Sequence, residues 1–219
     1  MRIDVISDTI CPWCFIGKRR LTRALAMRDL EPVDIRWRPF QLNPTMPADG
    51  MDRDSYLTAK FGSVERAERQ YDRIRAAGRE ENINFRFDLI ERIPNTVQSH
   101  RLLHFAEGSG LQDTVSEMLF DAYFLRGRDI GMRDELVEVA GLAGLDADLV
   151  KDYLTDDQDR PDILAEEDRA RLNGVNGVPC FVIDDQYAVS GAQSPEIFLQ
   201  IFDVVREEHA MTRGRAVAE

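Results

Sequence analysis

Two cysteines three positions apart, Cys11 and Cys14, enclose Pro12 and Trp13 and are the residues of this sequence best suited to chemistry. Thiols at this spacing can close into a disulfide and reopen it. An apolar, β-branched run, Ile3 to Ile6, precedes them, and a segment with helical spacing follows from Phe15. If Cys11 caps that helix, unpaired backbone N–H groups and the positive end of the helix dipole face its sulfur and favour thiolate over thiol. Pro12 suits the first helical position, where its missing N–H costs nothing and its φ is already helical. Cys14, one turn on, shares the face of Cys11 and can attack a mixed disulfide formed there. Cys11 is then the nucleophile and Cys14 the resolving thiol. The pair could also supply two ligands of a tetrahedral zinc site, but a second close Cys/His pair is missing, so redox use is expected and no metal.

The elements that must position this pair can be read from periodicity. Ile3 to Ser7 reads as a buried strand, Phe15 to Leu30 as a helix stopped by Pro32, and Val33 to Arg38 as a half-buried strand of alternating pattern. The connection is long enough for a right-handed crossover between parallel neighbours. From Pro39 the chain becomes irregular, then helical: a face of Tyr56, Leu57 and Phe61, a second of Val64, Ala67, Tyr71 and Ile74 after a Ser63 cap, and further helices over Thr96–Glu107, Asp113–Leu125, Arg133–Ala143, Asp148–Leu154 and Ile163–Leu172. Strand character returns at Val178–Ile183 and Gln186–Ser190, around an Asp184-Asp185 turn. Ser194-Pro195-Glu196 opens a last helix that buries Ile197, Phe198, Ile201, Phe202 and Val205 and frays from Met211. The outline β-α-β, helical insert, β-β-α is the thioredoxin pattern interrupted in its middle. It divides the chain into an N-terminal thioredoxin part, 1–42, a helical insertion, 43–173, and a C-terminal thioredoxin part, 174–219.

The chain has 219 residues, enough for one large domain or one domain with an insertion, and its three cysteines are too few for a disulfide scaffold. Its 28 Lys+Arg against 40 Asp+Glu give a formal charge of −12, which repels nucleic acid and anionic membrane surfaces. Met1 and Arg2 lead directly into the first strand, with no apolar leader region and no membrane-span length, so a cytoplasmic protein is expected.

Val178-Pro179 stands just before the returning strand, where a residue unable to donate to a ladder belongs. Residue statistics alone favour a trans bond, since about 5–6% of X–Pro bonds are cis in folded proteins. Here the sequence resembles a known family. Ser7-Asp8 with CPWCFIGKRRL, Asn95-Thr96 leading to His100-Arg101-Leu102, Ala122-Tyr123-Phe124 with Gly127-Arg128-Asp129-Ile130, and GVNGVPCFVIDDQYAVSGAQ resemble the DsbA-like branch of the thioredoxin superfamily, and more narrowly the FrnE-like proteins. The stretches span nearly the whole chain. The resemblance implies an α/β class thioredoxin fold with a large all-helical insertion. It also implies a cis Val178–Pro179 bond facing the CxxC, with the Val178 backbone offered to an extended substrate segment. With Pro12, and with Trp13 shielding the disulfide, Val178 and Pro179 are the expected substrate-binding residues.

Other candidates have two readings each. Cys180 departs from the family pattern, which usually has another residue there. It is either a small apolar residue of a buried strand or a third thiol close enough to Cys11 for an alternative disulfide. Asp8 is either a turn or cap residue or an acceptor for a thiol proton. His100 and His104, i and i+4 on a helix, could share a metal but are better read as packing between insert and core. Lys18, Arg19, Arg20 and Arg23 read as a solvated helix face.

The leading expectation is a thiol–disulfide oxidoreductase or isomerase acting on a disulfide-bearing protein or small molecule. It needs no cofactor and is recharged by a cellular thiol reductant, with glutathione as a candidate redox partner. One alternative is a glutathione-dependent isomerase or transferase of the 2-hydroxychromene-2-carboxylate isomerase and kappa-class type, which use serine where this chain has Cys11. Another is a redox-sensing or chaperone-like binding protein.

Overall fold

Ile3, Val5 and Ile6 are all buried, so both faces of the first strand are covered. The structure is a computed structural model describing residues 1–28 and 32–216, with side chains through Met211. Strand β1 (Arg2–Ser7) pairs in parallel with β2 (Asp34–Pro39) and antiparallel with β5 (Cys180–Ile183), which pairs with β6 (Tyr187–Ser190). The strand order is β2-β1-β5-β6. Helix α1 (Pro12–Ala26) makes the crossover from β1 to β2. It begins at Pro12 rather than Phe15 because Cys11, extended at φ −92° and ψ 111°, is its N-cap. It ends at Ala26, and the expected C-terminal residue Leu30 lies outside the described residues.

Alternation decides what each sheet face meets. Ile3, Val5, Trp37, Phe181 and Ile183 share one face by register, covered by α1 and by the last helix, α9 (Pro195–Ala216). Phe181 meets Phe198 of α9 edge to face at 4.9 Å. Phe198, Phe202 and Val205 are buried, but Ile197, expected with them, is 37% exposed because it falls at the rim of that stripe. The helix continues past Met211, where fraying was expected, to Ala216. On the opposite face Ile6, Phe40 and Cys180 form a smaller cluster, with Ala170 and Val175 packed against it. Beside them Arg38 pairs with Asp4 at 2.8 Å and with Glu166 at 3.2 Å.

Between β2 and β5 lie α2 (Arg53–Phe61), α3 (Val64–Glu80), α4 (Val97–Glu107), α5 (Gln112–Phe120), α6 (Arg133–Leu142), α7 (Ala147–Tyr153) and α8 (Arg160–Leu172). Ser63 caps α3 as expected, its hydroxyl accepting the Arg66 N–H. The insertion is not purely helical. Met51–Asp52 (β3) and Arg92–Ile93 (β4) form an antiparallel ladder too short to leave an alternation in the sequence. The single helix expected over Asp113–Leu125 is α5 followed by one π-helical turn, Asp121–Leu125. Across that turn Phe120 and Phe124 both stack on Phe15 of α1, at 5.1 and 6.4 Å between ring centres, and Phe85 meets Phe15 edge on at 6.1 Å. One apolar cluster therefore runs from the sheet through α1 into the insertion. Among the described residues no helix is long and apolar enough to cross a membrane.

The basic face of α1 is solvated only in part: Arg23 is exposed, but Lys18 is not, and all four residues meet carboxylates of the insertion. Lys18 is buried against Asp113 at 2.7 Å and over the Trp37 ring, Arg19 pairs with Glu117, and Arg20 and Arg23 both hold Glu81. These acids come from the end of α3 and from α5, so the charges fasten α1 to the insertion. Periodicity shows a charged stripe but not the distant carboxylates that meet it.

Candidate active site

Because Cys11 caps α1, its sulfur sits where the helix leaves its first N–H groups without intrahelical partners. Its carbonyl accepts the Cys14 N–H at 3.0 Å, and its own N–H donates to the Asp8 carbonyl at 3.0 Å, closing the loop between β1 and α1. All three cysteines are free thiols. The two of the motif have different surroundings. Both are buried, at 3% and 1% exposed, but Cys11 lines a cavity of about 450 Å³ and Cys14, one turn on, does not. Burial pushes the Cys14 thiol well above its ordinary value, helped by its hydrogen bond to and electrostatic interaction with Cys11, and only partly opposed by the Ser7 hydroxyl and the Asp8 backbone.

The opposite wall is the loop before β5. The Val178–Pro179 bond is cis, as the resemblance implies and against residue statistics. The Cys11 S–H donates to the Val178 carbonyl at 3.6 Å, so these sequence-distant segments face each other. Gly17 eases the close approach of α1 to this loop: a Cβ there would lie 3.0 Å from the Phe181 ring and 3.1 Å from Pro179. Trp13, 39% exposed, lies beside Cys11 at the cavity wall, with Pro12 and Val178.

Asp8 is fully buried and accepts the Leu42 N–H at 2.7 Å and the Ile10 N–H at 3.4 Å. It thus ties the loop carrying Cys11 to the chain leaving β2, the cap-like role among its two readings. His100 of α4 is buried with Nε2 at 3.6 Å from the Asp8 carboxylate. Next to this pair the Thr9 and Ser99 hydroxyls hydrogen-bond at 2.7 Å. His100 is packing between insertion and core, while His104 is exposed. Among the described residues no group of three or more His, Cys, Asp or Glu is arranged to hold a metal ion.

Cys180 lies opposite Ile6 in the ladder and packs with Ile6 and Phe40 on the sheet face away from α1. Its neighbour Phe181 takes the face toward Gly17. The pleat therefore sends the Cys180 side chain to the far side of the sheet from the helix that Cys11 caps. Burial pushes its thiol up.

Residues 2–203 match the family described as the DSBA-like thioredoxin domain. The chain belongs to the DsbA-like thioredoxin-domain family. The crystal structure of a probable DsbA oxidoreductase, SCO1869 of Streptomyces coelicolor, is 36% identical with a TM-score of 0.82, over 92% of this chain and 88% of that one. The uncharacterized protein YwbO of Bacillus subtilis strain 168 is 26% identical over 205 residues, 90% of this chain and 94% of its own. A cytosolic disulfide reductase, DsbM of Pseudomonas aeruginosa, solved with GSH, shares the fold at TM-score 0.67 and 16% identity, over 94% of this chain and 100% of its own.

Membership in the DsbA-like family supports a thiol–disulfide oxidoreductase role in general terms. What sequence reading missed in this DsbA-like protein is the cavity wall contributed by the insertion: Tyr56 and Lys60 of α2, Tyr71 and Arg73 of α3, and Tyr123 of the π-helical turn. A signal was present. Tyr56 and Tyr71 stand on otherwise apolar helix faces, and a tyrosine there marks a face that ends at a polar opening.

Proposed function

We propose that this DsbA-like protein is a thiol–disulfide oxidoreductase of the FrnE-like type, working in the cytoplasm on protein or small-molecule disulfides. The observation that carries this reading is the asymmetry of the two thiols: Cys11 at the helix cap, lining the cavity and facing Val178, and Cys14 buried one turn behind it. The Cys11 thiolate attacks one sulfur of a substrate disulfide, the S–S bond breaks, and its electron pair leaves with the other half as a thiolate. Cys14, losing its proton as it attacks, then displaces the bound half from Cys11. The products are a Cys11–Cys14 disulfide and a fully reduced substrate. Isomerisation shares the first step and ends with attack by a substrate thiol instead of Cys14.

Pro12, Trp13, Val178 and Pro179 form the substrate wall in this reading, and the Val178 backbone pairs with an extended substrate segment as a strand would. A cellular thiol such as glutathione returns the disulfide to the dithiol. Support for this choice comes from the fold shared with DsbM, solved with GSH. The electrons reside on sulfur throughout, so the cycle calls on no cofactor. Cys14→Ser leaves the first step and removes the second, so mixed disulfides are expected to accumulate on Cys11 in cells. Alkylation on lysis, purification and mass spectrometry read them. As many adducts on a Cys11→Ser, Cys14→Ser double variant would overturn the assignment.

A further inference from the structure

The cavity beside Cys11 has a charge character opposite to that of the chain around it. Its volume, about 450 Å³, is that of a small-molecule site, within the usual range of roughly 300–1,000 Å³. Acidic residues outnumber basic ones 40 to 28 in the sequence, yet no Asp or Glu lines this cavity, while Lys60 and Arg73 do. On the same two helices Arg53 and Arg75 are paired with Glu68, each at 3.0 Å. Among the described residues neither Lys60 nor Arg73 makes an ion pair with a carboxylate. Lys60 instead donates to the Tyr56 hydroxyl at 2.6 Å and lies over the Tyr56 and Phe61 rings. Two cations with no carboxylate partner among the described residues thus line the same apolar, aromatic-walled space as the candidate nucleophile.

We infer that this cavity binds a low-molecular-weight disulfide bearing a carboxylate, held by Lys60 and Arg73 while one of its sulfurs meets Cys11. The inference rests on Cys11 being the nucleophile and names the substrate class of that site. The apolar walls take the body of the molecule, and the two cations take the negative charge that a cavity free of carboxylates does not repel. The reaction is the exchange written above: two electrons pass from the Cys11–Cys14 dithiol to the substrate, whose halves depart as thiols.

Stopped-flow kinetics of the reduced protein with two aromatic disulfides tests this. One is dianionic 5,5′-dithiobis(2-nitrobenzoate) and the other is neutral 2,2′-dithiodipyridine. For the wild type, the rate with the dianion falls as salt rises, and the rate with the neutral probe does not follow it. In a Lys60→Gln, Arg73→Gln double variant the dianion rate is expected to fall by about tenfold more than the neutral rate, the scale of one lost charge-assisted contact. Charge reversal to Glu at both positions widens the gap. Equal losses with both probes, or none, would overturn the site. So would a loss in insulin reduction as large as that with the dianion, since the occupant would then be a polypeptide. Undiminished rates with both probes in Cys11→Ser would instead defeat the underlying reading of the nucleophile.

Discussion

Cys11→Ser is expected to lower disulfide turnover by about three orders of magnitude or more, the scale of removing a catalytic nucleophile. The fold should survive, because serine keeps the volume at a helix cap and is itself a favoured cap residue. Cys14→Ser behaves differently. Its Cys11 still attacks, so one equivalent of leaving thiol is released per chain in a burst, after which turnover stalls at the mixed disulfide. Steady-state reduction of a small disulfide, followed with the burst amplitude, separates the two variants. Burial raises Cys14, so the resolving step in the wild type quickens as pH climbs into the alkaline range and more of Cys14 is thiolate. The same shift has a stability sign. A thiol raised in the folded state favours the protonated form, so the reduced fold loses stability above the unfolded thiol value of about 8.5.

The largest effect on stability is expected far from the cysteines, at Arg101. Its side chain is fully buried. The guanidinium donates to Asp159 at 2.6 Å, Gln98 at 2.9 Å, Asp157 at 3.0 Å and the Tyr153 carbonyl at 3.0 Å, and lies over the Tyr153 ring. One side chain of α4 thereby closes the connection from α7 to α8. Arg101→Met keeps much of the stem volume but strips these acceptors of their donors. The carboxylates left behind are partly solvated, so the cost is that of the lost charge-assisted hydrogen bonds, about 1.5–3 kcal/mol. At roughly 2–4 °C per kcal/mol for a chain of this size, the thermal midpoint falls by about 3–12 °C. The loss depends on pH in a definite direction. Burial alone would raise Asp159, but hydrogen bonds from Arg101 and Tyr153 outweigh it and hold the carboxyl below its usual range. A depressed carboxylate stabilises the fold above the unfolded value of about 3.9, and that stabilisation is lost as pH falls through the lower folded value. The gap between wild type and Arg101→Met is therefore expected to be widest near neutral pH and to narrow below about pH 4, which thermal scans across that range read directly.

Why some of this was legible from residues and some was not follows from range. Cys11 at a cap, Pro12 at the first helical position and Ser63 before α3 are local features, set by neighbours in sequence, and each occurs where the sequence places it. The alternation of β2 and the turn before β6 are equally local. Lys18 looks like any charged helix residue until Asp113 and Glu117 arrive from α5 to bury it. The two-residue β3–β4 ladder is shorter than any periodic signal, and the π-helical turn at Asp121–Leu125 has the composition of the helix it interrupts. The side of the sheet that Cys180 faces depends on its register with Ile6, which one strand alone does not contain. The cavity is the extreme case: its walls come from α1, the chain after β2, α2, α3, the π-helical turn and the cis-proline loop, so only folding assembles them.

The central claim is that Cys11 and Cys14 alone form the working redox pair. Oxidising the reduced protein with excess diamide, alkylating the remaining thiols and mapping the peptides by mass spectrometry tests it most directly. The expected product carries one intramolecular disulfide, Cys11–Cys14, with Cys180 alkylated. A disulfide that includes Cys180, or a protein in which Cys11 and Cys14 are both still alkylated, would contradict it.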